Sequence, residues 1–167
     1  SICIDGVSLT VNDVDGLHRE LAHGDVACVI AEPVLTNSCM VLPEPGFLDQ
    51  LRRCTRETGT LLLIAETHTI SSGPGGYTRA HGLEPDLFVL GKPIAGGVPA
   101  SVWGFTDDVA RRLHEVRAQT SPGHSGMGTT LSANALALAA MRATLEHVMT
   151  AAAYLHMERL AGLLAEG

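Results

Sequence analysis

A chain of 167 residues with a formal charge of −7 has room for one core and no basic surface to track a phosphate backbone, which excludes nucleic acid as a partner. Hydrophobic residues at 46% and charged residues at 17% describe a folding chain rather than a disordered one. No apolar run has the length of a membrane span, and the start SICIDG has neither an initiator Met nor a charged n-region, so the chain reads as cytoplasmic with no membrane partner.

In chain order, VACVIAE (Val26 to Glu32) is a continuous apolar run and predicts a strand buried on both faces. After a proline-rich loop, GFLDQLRRCTRETG repeats Phe47, Leu48, Leu51, Cys54 and Thr58 at three- and four-residue steps. It ends on Gly59, where a helix stop belongs. TLLLIAE (Thr60 to Glu66) predicts a second buried strand, DLFVLGK (Asp86 to Lys92) a third, and ASVWGF (Ala100 to Phe105) a shorter fourth. Thr106 then caps a helix with Asp107 and Asp108 in its first turn and Arg111, Arg112 and Arg117 later, the sense that the helix dipole favours. Its inner stripe is Val109, Leu113 and Val116. SANALALAAMRATLEHV predicts a buried helix, and TAAAYLHMERLAGLLAEG another with Leu155, Leu160 and Leu163 on one face. This order predicts an α/β fold, a largely parallel sheet flanked by helices, with ligands at the carboxyl ends of the strands. Glu32, Glu66 and Lys92 all fall at such ends.

Several familiar motifs fail. Lys92 is followed by Pro93 rather than Ser or Thr and lacks the earlier glycine of a phosphate-binding P-loop. GHSGMG (Gly123 to Gly128) would need glycine at Met127 to form a nucleophile elbow, no GxGxxG follows a strand, and GPGG (Gly73 to Gly76) reads as a turn. Cys3, Cys28, Cys39 and Cys54 form no CxxC pair, and those in apolar runs read as buried reduced thiols. The eight histidines show no paired ligand spacing, so no metal site is expected. The absent Met and an end at LLAEG inside a helical pattern point to a piece of a larger protein.

Lys92 is the only lysine, since ten of the 11 basic residues are arginine. An ammonium can lose its proton when desolvated and attack a carbonyl, whereas a guanidinium stays charged. That makes Schiff-base chemistry the role arginine could not fill. The other reading, a surface or salt-bridging lysine in an arginine-rich chain, is equally open on composition.

The surroundings supply more. VIAEPV with PEPGFLDQLR, LLLIAETHT, GLEPDLFVLGKPIAGGVPA and GTTLSANALALAAMRATLE follow one another in the order of a known family. The chain from about Asn12 to Gly167 resembles the class III pyridoxal-phosphate-dependent aminotransferases, in the group containing glutamate-semialdehyde aminomutase. The resemblance implies part of a fold-type I large domain, with pyridoxal 5'-phosphate as cofactor. Lys92 matches the lysine that forms the Schiff base with it. Thr130 matches the threonine that reaches the cofactor phosphate of a neighbouring subunit, which implies a homodimer. Thr67 matches the residue packed against the pyridine ring, and Glu66 the acidic residue of the family's Asp-Glu pair. Glu32 and Asn37 match positions near the pocket. His68 either faces substrate or is a satisfied polar loop residue. The implied partners are a small-molecule amino donor and a carbonyl acceptor.

Two departures qualify this. Ala65 stands where the family has the aspartate that keeps the ring nitrogen protonated and the ring an electron sink. Removing one partner of a buried ion pair costs about 3–5 kcal/mol, which at a transition state slows a reaction by about two to four decades. Glu66 is a poor substitute, because consecutive strand residues point to opposite faces. The family also needs an upstream glycine-rich turn and a C-terminal small domain. Meanwhile SICIDGVSLTVNDVDG resembles a riboflavin synthase motif. Residues 1–16 are therefore set apart as an atypical segment, a possible fusion junction. Residues 17–149 form a partial cofactor-binding domain, and residues 150–167 a helix leading towards a small domain. Three functions compete: amino-group transfer through Lys92, a non-catalytic remnant of the same fold, and a partner-binding domain with exposed apolar patches.

Overall fold

The computed structural model describes residues 2–4, 7–119, 128 and 130–167 of the chain. Two short strands, β1 (Ile2–Ile4) and β2 (Val7–Leu9), precede helix α1 (Val14–Leu21). Asp13 caps α1 by accepting a hydrogen bond from the Gly16 amide at 2.8 Å, and a Cβ on Gly16 would meet Asp13 Oδ2 at 2.3 Å. The segment NDVDG, set apart in the sequence as the end of an atypical stretch, is thus the entry to a helix whose Leu17 and Leu21 lie in the core.

Strand β3 (Cys28–Ala31), helix α2 (Phe47–Thr58), strand β4 (Leu61–Ala65), helix α3 (Gly76–Ala80) and strand β5 (Leu87–Leu90) follow. Strand β6 (Val102–Phe105) and helices α4 (Asp107–Ala118), α5 (Ala135–His147) and α6 (Ala151–Glu166) complete the order. Local stops and starts sit where the sequence puts them. Gly59 takes the left-handed conformation that ends α2, and Thr106 accepts from the Val109 amide at 3.4 Å to start α4. β1, β2, α1 and α3 have no counterpart among the expected elements.

The sheet runs β2-β1-β3-β4-β5-β6. β3, β4 and β5 are parallel, while β1 opposes both its neighbours and β6 opposes β5. Four strands therefore share one direction, and the sheet is mixed and mostly parallel. The link from β5 to β6 carries only a 3-10 turn (Lys92–Ala95), which is too little for the helical crossover that a parallel return requires.

Side chains alternate along each strand, and only one set reaches the core. Val29, Ala31, Leu62 and Ile64 pack with Leu17 and Leu21 of α1 and with Phe47, Leu51 and Cys54 of α2. On the opposite face Leu61, Leu63 and Ala65 are half-buried and Ile30 is 51% exposed. The expectation that β3 and β4 are buried on both faces is thus corrected: the described residues cover one face, although the apolar runs suit two. The late helices need the same correction. In α4, Val109 and Leu113 are half-buried and Val116 is exposed, so no residue of that helix is buried. α5 buries only Ala137 and Thr144, and α6 only Tyr154, leaving Leu155, Leu160 and Leu163 exposed. The apolar stripes are present, but no described element covers them. No helix among the described residues is long and apolar enough to cross a membrane.

Arg52 of α2 grips Asp86, at the mouth of β5, through two hydrogen bonds of 2.6 and 2.9 Å, and Asp86 Oδ2 also accepts from the Leu62 amide at 2.8 Å. Burial pushes the Asp86 carboxyl up, but the Arg52 and Leu62 hydrogen bonds and the charges of Arg52 and Arg56 outweigh it and hold the group below its ordinary value. Cys28, Cys39 and Cys54 are free thiols. Burial pushes Cys28 and Cys54 up, as inert structural cysteines require.

Candidate functional site

Because β3, β4 and β5 are adjacent and parallel, their carboxyl ends lie side by side, and the residues just beyond them share one edge. These are Glu32 after β3, Glu66 to His68 after β4, and Gly91 and Lys92 after β5. Lys92 opens the 3-10 turn with φ +49 and is followed by Pro93. A non-glycine residue in the left-handed region costs about 1–2 kcal/mol. The turn is pinned by Ile94, 1% exposed, which packs with Ile70 and Leu90 against Met141 of α5. With Ile94 and Ala95 drawn inward, the Lys92 side chain is turned to solvent. Gly96 follows with φ +58, and a Cβ there would lie 3.2 Å from Thr144 Oγ1. That glycine serves the approach of α5.

Lys92 Nζ is in hydrogen-bond contact with His68 Nε2, and His68 Nδ1 with Thr36 Oγ1. Thr36 Oγ1 in turn donates to Glu32 Oε2 at 3.5 Å. Thr67 lies beside the same turn: a Cβ built on Gly91 would come 3.9 Å from Thr67 Cγ2. The open groove in front of Lys92, about 1190 Å³, is lined from Gly97 to Trp103, by Leu131 and Asn134 of the turn ahead of α5 and by Leu138 of α5 itself. Thr130 is exposed on that turn, outside the lining of the groove, and Asn37 is exposed after Thr36. Residues 123–127 of GHSGMG lie outside the described residues.

Glu66 is the residue whose surroundings the sequence reading missed. Its carboxylate is fully buried, and it faces α3. Oε2 accepts from the Thr69 hydroxyl at 2.5 Å and the Tyr77 amide at 3.3 Å, while Oε1 accepts from the Thr78 amide. Gly76 makes this possible: its φ is +65, and a Cβ would sit 2.4 Å from Glu66 Oε2. GPGG is a turn, as expected, and its last glycine is the close approach that lets backbone amides reach a buried carboxylate. The signal is a four-residue glycine-rich stretch that ends ten residues beyond a strand-end glutamate.

A family model for the class III aminotransferases matches residues 6–167. The chain belongs to that family. The matched range includes the NDVDG segment. Among curated relatives, the chain is 40% identical over 159 residues to a glutamate-1-semialdehyde 2,1-aminomutase of Roseiflexus castenholzii, covering 93% of this chain and 35% of the relative. It is similar in structure to a glutamate-1-semialdehyde aminomutase of Pseudomonas aeruginosa PAO1, a lysine-to-alanine variant in complex with PMP, with TM-score 0.87, 53% identity and coverage of 93% and 35%. A β-phenylalanine aminotransferase of Variovorax paradoxus aligns with TM-score 0.73 and 28% identity, over 89% of this chain and 34% of that one. The chain spans about a third of the length of the curated relatives it matches.

The class III family depends on pyridoxal phosphate, so the residues can be tested against that group. Its aldehyde end is matched by the one lysine amine, exposed at the strand-end edge. The resemblance assigns the ring-nitrogen end to position 65, where Ala65 offers a methyl group and no acid, and Glu66 is committed to Thr69 and α3. By that resemblance the residues present fit the group at Lys92 and offer no counter-charge at Ala65.

Proposed function

We propose that the chain is part of a pyridoxal-phosphate-dependent aminotransferase or aminomutase that moves an amino group between a small-molecule donor and a carbonyl acceptor. The observation that carries this reading is the solitary amine of Lys92, exposed beyond β5 and in contact with His68 at the strand-end edge. The cofactor, when bound, supplies an aldehyde for a Schiff base and a ring that draws electrons from the α-carbon of the substrate. Lys92 supplies the amine and afterwards holds and returns the proton as a general base. Thr67, beside the Lys92 turn, would pack against the ring of the bound group. Thr130 belongs to the phosphate site of a second subunit, in a cytoplasmic homodimer. Residues 17–149 are part of the large domain, and the helix over 150–167 leads towards the small one.

A second reading, a remnant that binds the cofactor without turnover, is favoured by Ala65, which offers no charge to the ring nitrogen. One experiment addresses both. The chain is mixed with pyridoxal phosphate, reduced with borohydride and mapped by peptide mass. A pyridoxyl adduct at Lys92 is expected, and its absence there would refute the cofactor role. An adduct without amino-group exchange would leave the remnant.

A further inference from the structure

Four polar side chains from three neighbouring strand ends stand in a line: Lys92 after β5, His68 after β4, and Thr36 and Glu32 after β3. Their chemistry sets its direction. An ammonium has donors and no acceptor, so Nε2 of His68 must accept from Lys92. A neutral imidazole with an accepting Nε2 carries its proton on Nδ1, and that N–H faces the Thr36 oxygen. The Thr36 hydroxyl donates to Glu32, and an ionised carboxylate only accepts. With ammonium at one end and carboxylate at the other, the Nδ1–H tautomer pairs every donor with an acceptor.

We propose that His68, Thr36 and Glu32 form a proton relay that positions the Lys92 ammonium and takes its proton when the amine is needed as a nucleophile. Each proton moves one place: from Nζ to Nε2, from Nδ1 to Thr36 Oγ1, and from Thr36 to Glu32 Oε2. The step leaves a neutral amine and a protonated carboxyl, and no bond to carbon changes. Among the described residues, few other titratable groups face Lys92. Glu66, also beyond β4, is taken by Thr69 and α3, and β6 carries none. α5, packed on the 3-10 turn, carries Arg142, Glu146 and His147, which pair with one another at its exposed side. The relay takes its purpose from the proposed carbonyl capture by Lys92, but the hydrogen-bond line stands without it.

Since the chain has one lysine, an amine reagent reads Lys92 and the amino terminus, which peptide mass separates. Two measurements on the 167-residue chain without cofactor test the relay. Nitrogen-15 NMR of the histidine rings, with His68 assigned by its loss in His68→Gln, is expected to show the proton on Nδ1. A resting His68 protonated on Nε2 with a bare Nδ1 overturns the line. The second measurement is the rate of Lys92 acetylation by dilute acetic anhydride at neutral pH. It is expected to fall on the order of tenfold in His68→Gln, Thr36→Val and Glu32→Gln, a modest part of what a positioned acid–base group supplies. Unchanged rates in Thr36→Val and Glu32→Gln overturn the relay, because a merely steric role for His68 would not extend to them. A chain with this tautomer and these rate losses but no pyridoxyl adduct at Lys92 upholds the relay and refutes the proposed function. The converse pattern refutes the relay alone.

Discussion

Replacing Glu66 with glutamine removes a charge and turns one oxygen into an amide nitrogen at a position with no solvent access. The carboxylate takes three hydrogen bonds, two on Oε2 from the Thr69 hydroxyl and the Tyr77 amide, and one on Oε1 from the Thr78 amide. A glutamine can offer its oxygen to one side only. If its nitrogen lies towards Thr78, two N–H donors face each other. If it lies towards Thr69, that hydroxyl can turn and accept, but the Tyr77 amide loses its partner. Either way one backbone N–H in α3 is orphaned, and the surviving bonds lose their charge assistance. A hydrogen bond to a charged group contributes about 1.5–3 kcal/mol, and an orphaned buried donor costs about 1–3 kcal/mol. These overlap, so the expected loss is about 2–4 kcal/mol, a large fraction of the roughly 5–15 kcal/mol of a small domain. Urea unfolding followed by circular dichroism checks it: the midpoint is expected to fall by about 1–2 M with the slope unchanged. A loss below about 0.5 kcal/mol, the ordinary scatter of surface substitutions, would refute the reasoning. It would mean that the carboxylate is not held by α3 and is free for the pocket.

Two more predictions follow from particular contacts. Asp86 titrates below its ordinary value in the fold, so its stabilisation is fully present above the unfolded carboxyl value of about 3.9 and is lost as pH falls through the folded one. Asp86→Asn is therefore expected to cost about 1.5–3 kcal/mol at pH 7, with the gap to the parent closing in acid, and a gap that stays constant down to pH 2 in denaturant titrations would count against the Arg52 and Leu62 contacts as its source. In a polypeptide extended to the length of the curated relatives, Ala65→Asp is expected to raise amino-group exchange by about two to four decades. No gain in a coupled turnover assay would show that position 65 is not the partner of the ring nitrogen.

Much of the chain's local grammar was legible because it is local. A glycine after α2, a threonine before α4 and a threonine before α6 end or begin helices through bonds that span three or four residues. Asp13 carries the same kind of signal at α1, with Val14, Leu17 and Leu21 in helical register. Burial was less legible. A run such as LLLIA reports that both faces of a strand suit an apolar neighbour, not that both neighbours are at hand, and Ile30 and Leu63 show the difference. The exposed leucines of α5 and α6 repeat it for helices.

At the site, position along the strands carried far, and side-chain direction did not. Glu32, Glu66 and Lys92 were placed at strand ends by sequence alone, and the parallel register of β3, β4 and β5 brings those ends to one edge. Which carboxylate serves which partner depends on pairs far apart in the chain: Thr36 with His68, Glu66 with Thr78. No local pattern encodes such pairs. Alternation along β4 does decide one of them. Ile64 points into the core, so Ala65 points to the half-open face, and Glu66 returns to the buried side, where it is fully enclosed. A carboxylate turned that way and held by three donors cannot swing across the strand to replace the one missing at Ala65. In the proposed function, strand geometry therefore keeps Glu66 from standing in for the acid absent at position 65.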